Sequence, residues 1–183
     1  MNVQSFILKL KELTPTRDFF IEKKISITHL DEITDSYDWR LKREPELISD
    51  NPLLDLAYNY ICKFYYTDFS FDYKYEVPDN FISVGSLVGL PIAIDCSTLE
   101  VVLLSHPLDD NSRKVHYSIA KDGEKFLDVL LIILDVMARP YGSNEIEWQK
   151  WNMKQCKLVI EKAGGVKYSI FYINEIYFLE DYF

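Results

Sequence analysis

Apolar residues recur at helical spacing near the start of the chain, at Val3, Phe6, Ile7, Leu10 and Leu13. That periodicity predicts an amphipathic helix over 3–13. Thr14-Pro15-Thr16 ends it, because the residue before a proline avoids the helical region. Residues 19–27 read as a strand with Lys23 and Lys24 exposed, and 28–34 as a short helix opened by Thr28, with Asp31 at its third position. Residues 35–50 are charged and irregular, a connection that Tyr37 and Trp39 can pin. A second helix starts clearly, with Asn51 to cap, Pro52 at the first helical position and Asp55 in the first turn. Its apolar stripe runs through Leu53, Leu56, Ala57, Tyr60, Ile61 and Phe64.

The period then changes from that of a helix to that of a strand. Phe69, Phe71, Tyr73 and Tyr75 alternate with Ser70, Asp72 and Lys74. After a turn at Pro78-Asp79-Asn80, strands are expected over 81–88 and 90–96, around Gly85 and Gly89, then over 99–105 and 115–120. Ile92 and Ile94 share one face of their strand, with Ala93 and Asp95 on the other. Asp122 opens a helix through Ala138 on which Glu124, Asp128 and Asp135 form a narrow polar stripe. Nearly everything else on it is apolar, which places it in the core. Asn144 with Glu147 is a capping box and Ala163-Gly164-Gly165 a helix stop, so 145–163 is a helix. The aromatic tail, 168–183, fits either period, and helix is the preferred reading.

Composition narrows the class. The chain has 183 residues, 48% of them hydrophobic, enough for one domain with a substantial core. Its 13 Tyr and 11 Phe are read mainly as core, with Tyr also suited to contact surfaces. A net charge of −9 repels phosphate backbones and attracts basic protein surfaces. Cys62, Cys96 and Cys156 are odd in number, widely spaced and without a C-x-x-C pair, which argues against a disulfide framework or a zinc ribbon. Cys62 and Cys156 fit buried free thiols at helical positions. The longest apolar run, Val129 to Leu134, is six residues, far below a membrane span. The first residues lack a basic region followed by a long apolar run, so no secretory signal is expected and a reducing, cytoplasmic setting is.

Catalytic motifs are missing. There is no phosphate-cradling glycine loop, no G-x-S-x-G elbow and no H-E-x-x-H, so neither a cofactor nor a catalytic residue is assigned. His29, His106 and His116 lack metal-ligand spacing. His106 and His116 with Asp95 or Asp109 make a site only if the strands bring them together. Asp95 is better explained by the turn Asp95-Cys96-Ser97-Thr98, where an aspartate bonds its own backbone. The run in which acids and aromatics interleave offers a surface for a basic protein partner: Tyr65, Tyr66, Asp68, Asp72, Tyr73, Tyr75 and Glu76, with Tyr37 and Trp39 as additions.

One segment carries a family likeness. Gly89-Leu90-Pro91-Ile92-Ala93-Ile94-Asp95 is followed by Thr98-Leu99-Glu100-Val101-Val102-Leu103-Leu104, then His106, then Ser118 and Phe126-Leu127. In order and spacing this resembles the SUKH superfamily, in which a strand of the form pIaiD turns into eVyll-dH and a Phe-Leu helix start follows. Leu99 stands where the family often has glycine, and the family's N-terminal Leu-Pro and Asn-Gly signature has no evident counterpart near residues 40–70. The resemblance implies an α+β fold, a twisted and mainly antiparallel sheet flanked by helices. The expected organisation is a single domain over 1–183, with 1–50 open to being an N-terminal extension and 144–183 supplying C-terminal helical elements. The resemblance also implies a bacterial immunity protein that binds and neutralises a toxin protein, and a basic nuclease would suit the charge. The alternatives are a regulatory adaptor of the same fold and, third, a small metal-dependent hydrolase. Nucleic acid and membrane are not expected partners, and the oligomeric state is left open.

Overall fold

The computed structural model describes residues 1–14, 16, 18, 21, 39–42, 44, 49–62, 69–71, 75–107, 113–138 and 145–176. It is an α+β fold built on two antiparallel sheets, one of five strands and one of two.

Helix α1 (Val3–Leu13) turns Val3, Phe6, Ile7 and Leu10 into the core, as the periodicity requires. Asn2 caps it by accepting the Ser5 N–H (2.9 Å), and Thr14 leaves the helix in an extended conformation ahead of the proline. Strand β1 (Trp39–Leu41) follows, then helix α2 (Pro52–Asn59), whose Asn51 side chain accepts the Leu53 N–H. Strand β2 (Tyr60–Cys62) pairs antiparallel with β1, Trp39 opposite Cys62 and Leu41 opposite Tyr60.

The main sheet is a meander. Strands β3 (Phe69–Ser70), β4 (Phe81–Leu87), β5 (Leu90–Asp95), β6 (Val101–Leu104) and β7 (Val115–Ala120) lie in spatial order β3-β4-β5-β6-β7. The Phe81 N–H bonds the Pro78 carbonyl, the expected turn into β4. Alternation sorts the residues by face. Ile92, Ile94, Val101, Leu103 and Ile119 join the main core, while Ala93, Val102 and Leu104 are buried on the other face with Val77 and Phe81 against them.

Helix α3 (Gly123–Ala138) begins where Asp122 accepts the Lys125 N–H (2.8 Å), and it buries Phe126, Leu127, Val129, Leu130 and Ile133. It packs against α1, α2 and helix α4 (Glu145–Ala163). At the end of α4, the Gly165 N–H bonds the Ile160 carbonyl and the Gly164 N–H bonds that of Glu161, the paired closure of a Schellman stop. A 3₁₀ turn (Val166–Tyr168), a short helical turn (Ser169–Phe171) and a π turn (Tyr172–Ile176) then run beside β7. One buried cluster draws on α1, α2, the sheet, α3, α4 and this last segment, so α1 contributes side chains to the core.

Several expectations need correction. The helix expected over 51–64 stops at Asn59, because Lys42, just after β1, places its Nζ on the Tyr58 carbonyl (2.8 Å) and its N–H on that of Asn59. Tyr60 and Ile61 then serve a strand, and Cys62 is strand, not helix, though it and Cys156 are buried free thiols as expected. The connection expected over 35–50 contains β1. Of the strand expected at 19–27, only Ile21 is described, and it is helical; the short helix at 28–34 lies outside the described residues. The tail is helical from 166 to 176, and 177–183 lie outside the described residues.

Candidate interaction surfaces

The β5–β6 turn is built from its own side chains. Asp95 Oδ1 accepts the Ser97 N–H (2.8 Å), the Ser97 hydroxyl (2.6 Å) and the Thr98 N–H (3.3 Å). The Ser97 hydroxyl and then its N–H hold the Asp95 carboxyl below the usual carboxylate range. The backbone closes as the Leu99 N–H bonds the Asp95 carbonyl (2.8 Å). Leu99 is left at φ 63°, in the left-handed region, with 58% of its surface exposed.

Beyond this turn the C-terminal segment is fastened to the sheet. Glu100 Oε1 accepts the Tyr168 hydroxyl (3.0 Å) and pairs with Lys167 Nζ. Tyr172 donates its hydroxyl to the Ile119 carbonyl (2.7 Å), and Tyr117 donates to Glu175 (2.8 Å). Burial, then the Glu100 hydrogen bond, pushes the Tyr168 phenol up to about 12. Burial likewise raises the Cys156 thiol to about 11. Both groups stay protonated at neutral pH, so neither is a ready base or nucleophile. Around the fastening, Val166 and Ile170 are exposed apolar residues. The Glu100–Tyr168 pair has no signature in the sequence, since no periodic pattern links positions so far apart in the chain.

The supposed catalytic trio does not assemble. Asp95 ends β5 beside the start of β6, because Ile94 pairs with Val101. His106 lies past the other end of β6, roughly 15 Å or more along the strand. His116 occupies a bulge in β7 between Val115 and Tyr117, exposed, with its ring 4.2 Å from that of Tyr117. Among the described residues, no group of three or more His, Cys, Asp or Glu is placed to hold a metal ion. Asp109 lies outside the described residues.

The interleaved run of acids and aromatics is divided. Phe69 and Phe71 turn inward onto Phe126, at ring-centroid distances of 6.1 and 6.5 Å, both edge-on. Tyr75 is half-buried and donates its N–H to the Ser83 hydroxyl (3.1 Å), while Glu76 is exposed. Trp39 stands in the other sheet, partly buried against the main core. Tyr37, Tyr65, Tyr66, Asp68, Asp72 and Tyr73 lie outside the described residues.

Fold and surface together define an α+β protein. No family model matches the chain, and neither does any curated protein or solved structure. Among the described residues, no helix is long and apolar enough to cross a membrane.

Proposed function

We propose that this chain is a cytoplasmic, SUKH-type immunity protein that binds a cognate toxin and blocks it by occupancy, without catalysis. The reading rests on the β5–β6 hairpin. The chain departs from the family pattern at Leu99, where glycine is common, and Leu99 adopts φ 63°, a conformation that glycine enters without strain. A backbone suited to glycine, at the position where the family often has glycine, supports the resemblance. A mainly antiparallel meander flanked by helices agrees with the same reading, as does the net charge of −9, which would favour a basic nuclease as partner. The dispersal of Asp95, His106 and His116 weighs against the hydrolase alternative.

The test has two parts. The tagged chain is purified from its native cells and the co-purifying proteins are identified by mass spectrometry. The gene of a stoichiometric partner is then expressed with and without this chain. A partner that stops growth alone, and is silenced when the chain is present, supports immunity. A stoichiometric housekeeping protein without toxicity would replace it with the adaptor reading. In the toxin complex, Glu76→Lys, or Asp72→Lys with Tyr73→Ala, should weaken binding if the acidic aromatic run forms the contact. Unchanged affinity removes that run from the interface.

A further inference from the structure

Exposed apolar residues scattered singly over a surface carry no message, but at one end of the main sheet three of them gather around one fastening. The strand ends define the place. Phe81 opens β4 opposite Asp95 at the end of β5, and Ile94 and Ala120 both pair with Val101 at the start of β6. The Lys121 N–H bonds the Ala163 carbonyl (2.8 Å), which brings the end of α4 to the same place. Glu100, next to Leu99, then accepts the Tyr168 hydroxyl and pairs with Lys167, next to Val166. Leu99 and Val166 therefore stand beside one tied ion pair, and Ile170 follows four positions after Val166. The three are 58%, 82% and 60% exposed. Both segments are held: the Leu99 N–H bonds the Asp95 carbonyl, and Tyr168 and Tyr172 are buried. Apolar side chains fixed in place before a partner arrives lose little freedom on binding.

Charge selects the occupant. Residues 75–112 contain no Lys or Arg. The Cys96 N–H bonds the Asn80 carbonyl (2.9 Å), so the turn carrying Asp79 lies against the turn carrying Asp95 and Leu99, with Glu76 just before it. Glu76 and Asp79 are exposed. The donors to Asp95 Oδ1 are neutral N–H and O–H groups, so they leave its charge in place. Glu100 and Lys167 cancel each other, and Lys121, exposed past the end of β7, has Asp122 beside it. Three carboxylates are thus left over at this end of the sheet. We infer that this end docks a surface segment of a basic partner protein, with an apolar residue on Leu99 and Val166 and a Lys or Arg against Asp79 and Asp95. An acidic partner would meet uncompensated carboxylates here, and a second copy of this chain would bring the same charge. The inference rests on reading the chain as a binding protein, not on the partner being a toxin.

The probe is a fluorescein-labelled peptide that alternates Arg with Leu, compared by fluorescence anisotropy with peptides in which Ser replaces Leu or Glu replaces Arg. The expected result is saturable binding of the Arg-Leu peptide that weakens with added salt, weaker binding of the Arg-Ser peptide and none of the Glu-Leu peptide. Leu99→Asn, Val166→Ser and Asp79→Lys should each weaken it about tenfold. All three alter exposed side chains, Asn tolerates the left-handed backbone at 99, and circular dichroism verifies that the variants fold. Glu12→Lys makes the same change of charge on the exposed face of α1 and should weaken binding far less than Asp79→Lys. Leu8→Asn, also on α1 at a position 63% exposed, should leave it unchanged. Equal losses from Asp79→Lys and Glu12→Lys would mean that the peptide senses net charge alone, and they overturn the docking site. Binding indifferent to Leu99→Asn, or no binding of the Arg-Leu peptide, overturns it as well. Growth rescue is measured separately, so a failed peptide with rescue intact retires this surface alone, and a bound peptide with no rescue retires the immunity reading alone.

Discussion

The two end strands of the five-stranded sheet are held in place by opposite means. At the β3 edge the chain approaches through a missing side chain: a Cβ on Gly85 would lie 2.3 Å from the Ser70 carbonyl oxygen and 3.1 Å from the Phe71 ring. Gly85 also follows the bulge at which β4 shifts its register against β5, with Val84 as the extra, buried residue. At the β7 edge nothing is removed and polar groups are added. The Tyr172 hydroxyl occupies the Ile119 carbonyl, Glu175 takes the Tyr117 hydroxyl, and the Lys121 N–H bonds the Ala163 carbonyl. A bare strand edge invites pairing with another chain, and β7 is guarded against this by the C-terminal segment. One edge thus depends on close packing, which fails abruptly, and the other on several separable bonds, which fail by degrees.

The largest effect is expected where packing cannot yield. Gly85→Ala puts a methyl group against backbone, so β3 must move or β4 must shift, at about 2–3 kcal/mol. Urea denaturation measures it, and a loss under about 0.5 kcal/mol, the ordinary range of surface changes, would show that the approach at this edge is loose. Tyr172→Phe should cost less, about 1–2 kcal/mol, because it leaves the ring in the core and removes only the donor to a buried carbonyl. If Tyr172→Phe proved the costlier of the two, the contrast between the edges would be reversed.

Much of this contrast rests on elements the sequence announced. Strands β4 to β7 were legible as short runs bounded by turn signals, and in β5 alternation put Ile92 and Ile94 on one face and Ala93 on the other. Helix α1 was legible from its apolar spacing and the stop before Pro15, and α4 from its capping box and the Gly164-Gly165 stop. Tyr60 and Ile61 were misread because they fit the stripe of α2 as well as they fit a strand. Their pairing with Arg40 and Leu41 is a tertiary fact that local pattern does not carry. The candidate surface was harder. Alternation put Phe69, Phe71 and Tyr75 on a common face without saying that the face is covered by Phe126. The acids of α3 were seen as a stripe, but Leu131 and Ile132 between them were counted as core, since whether a neighbour covers them is decided by the separation of α1 and α4.

A smaller effect separates the bonds of the C-terminal segment from one another through pH. The Tyr168 phenol is raised from 10.0 to about 12 in the folded chain, so the unfolded chain releases this proton first. The stabilisation is complete below pH 10 and is lost as pH rises towards 12. Cys156, raised from 9.0 to about 11, adds an alkaline loss that begins lower. Tyr168→Phe should cost about 1 kcal/mol at neutral pH for the lost bond to Glu100. It should also flatten the upper part of the alkaline limb and leave the Cys156 part in place. Thermal melts from pH 8 to pH 11, at about one-unit steps, read both effects. An alkaline limb unchanged in Tyr168→Phe would mean that the phenol is not held protonated by its surroundings.

The smallest effect has the opposite sign. Leu99 sits at φ 63° with its side chain mostly in solvent, so the left-handed backbone costs stability that burial does not return. The turn holds it there through the three bonds to Asp95 Oδ1, and Glu100 beside it is fixed by Tyr168 and Lys167. Leu99→Gly removes the backbone strain, but the unfolded chain gains freedom from the glycine. The net stabilisation should therefore be only about 0.5 kcal/mol. Val88, at φ 50° in the two-residue β4–β5 turn and 69% exposed, gives an internal comparison without such side-chain bonds. Val88→Asn should stabilise by a similar amount or slightly more, since Asn is favoured at positive φ in that turn and a β-branched residue is not. If Leu99→Gly stabilises the free chain yet weakens the purified complex, the exposed leucine is kept for contact with the partner. If stability rises and affinity is untouched, Leu99 only fills a place that glycine fills as well, and the hairpin's role ends at its backbone.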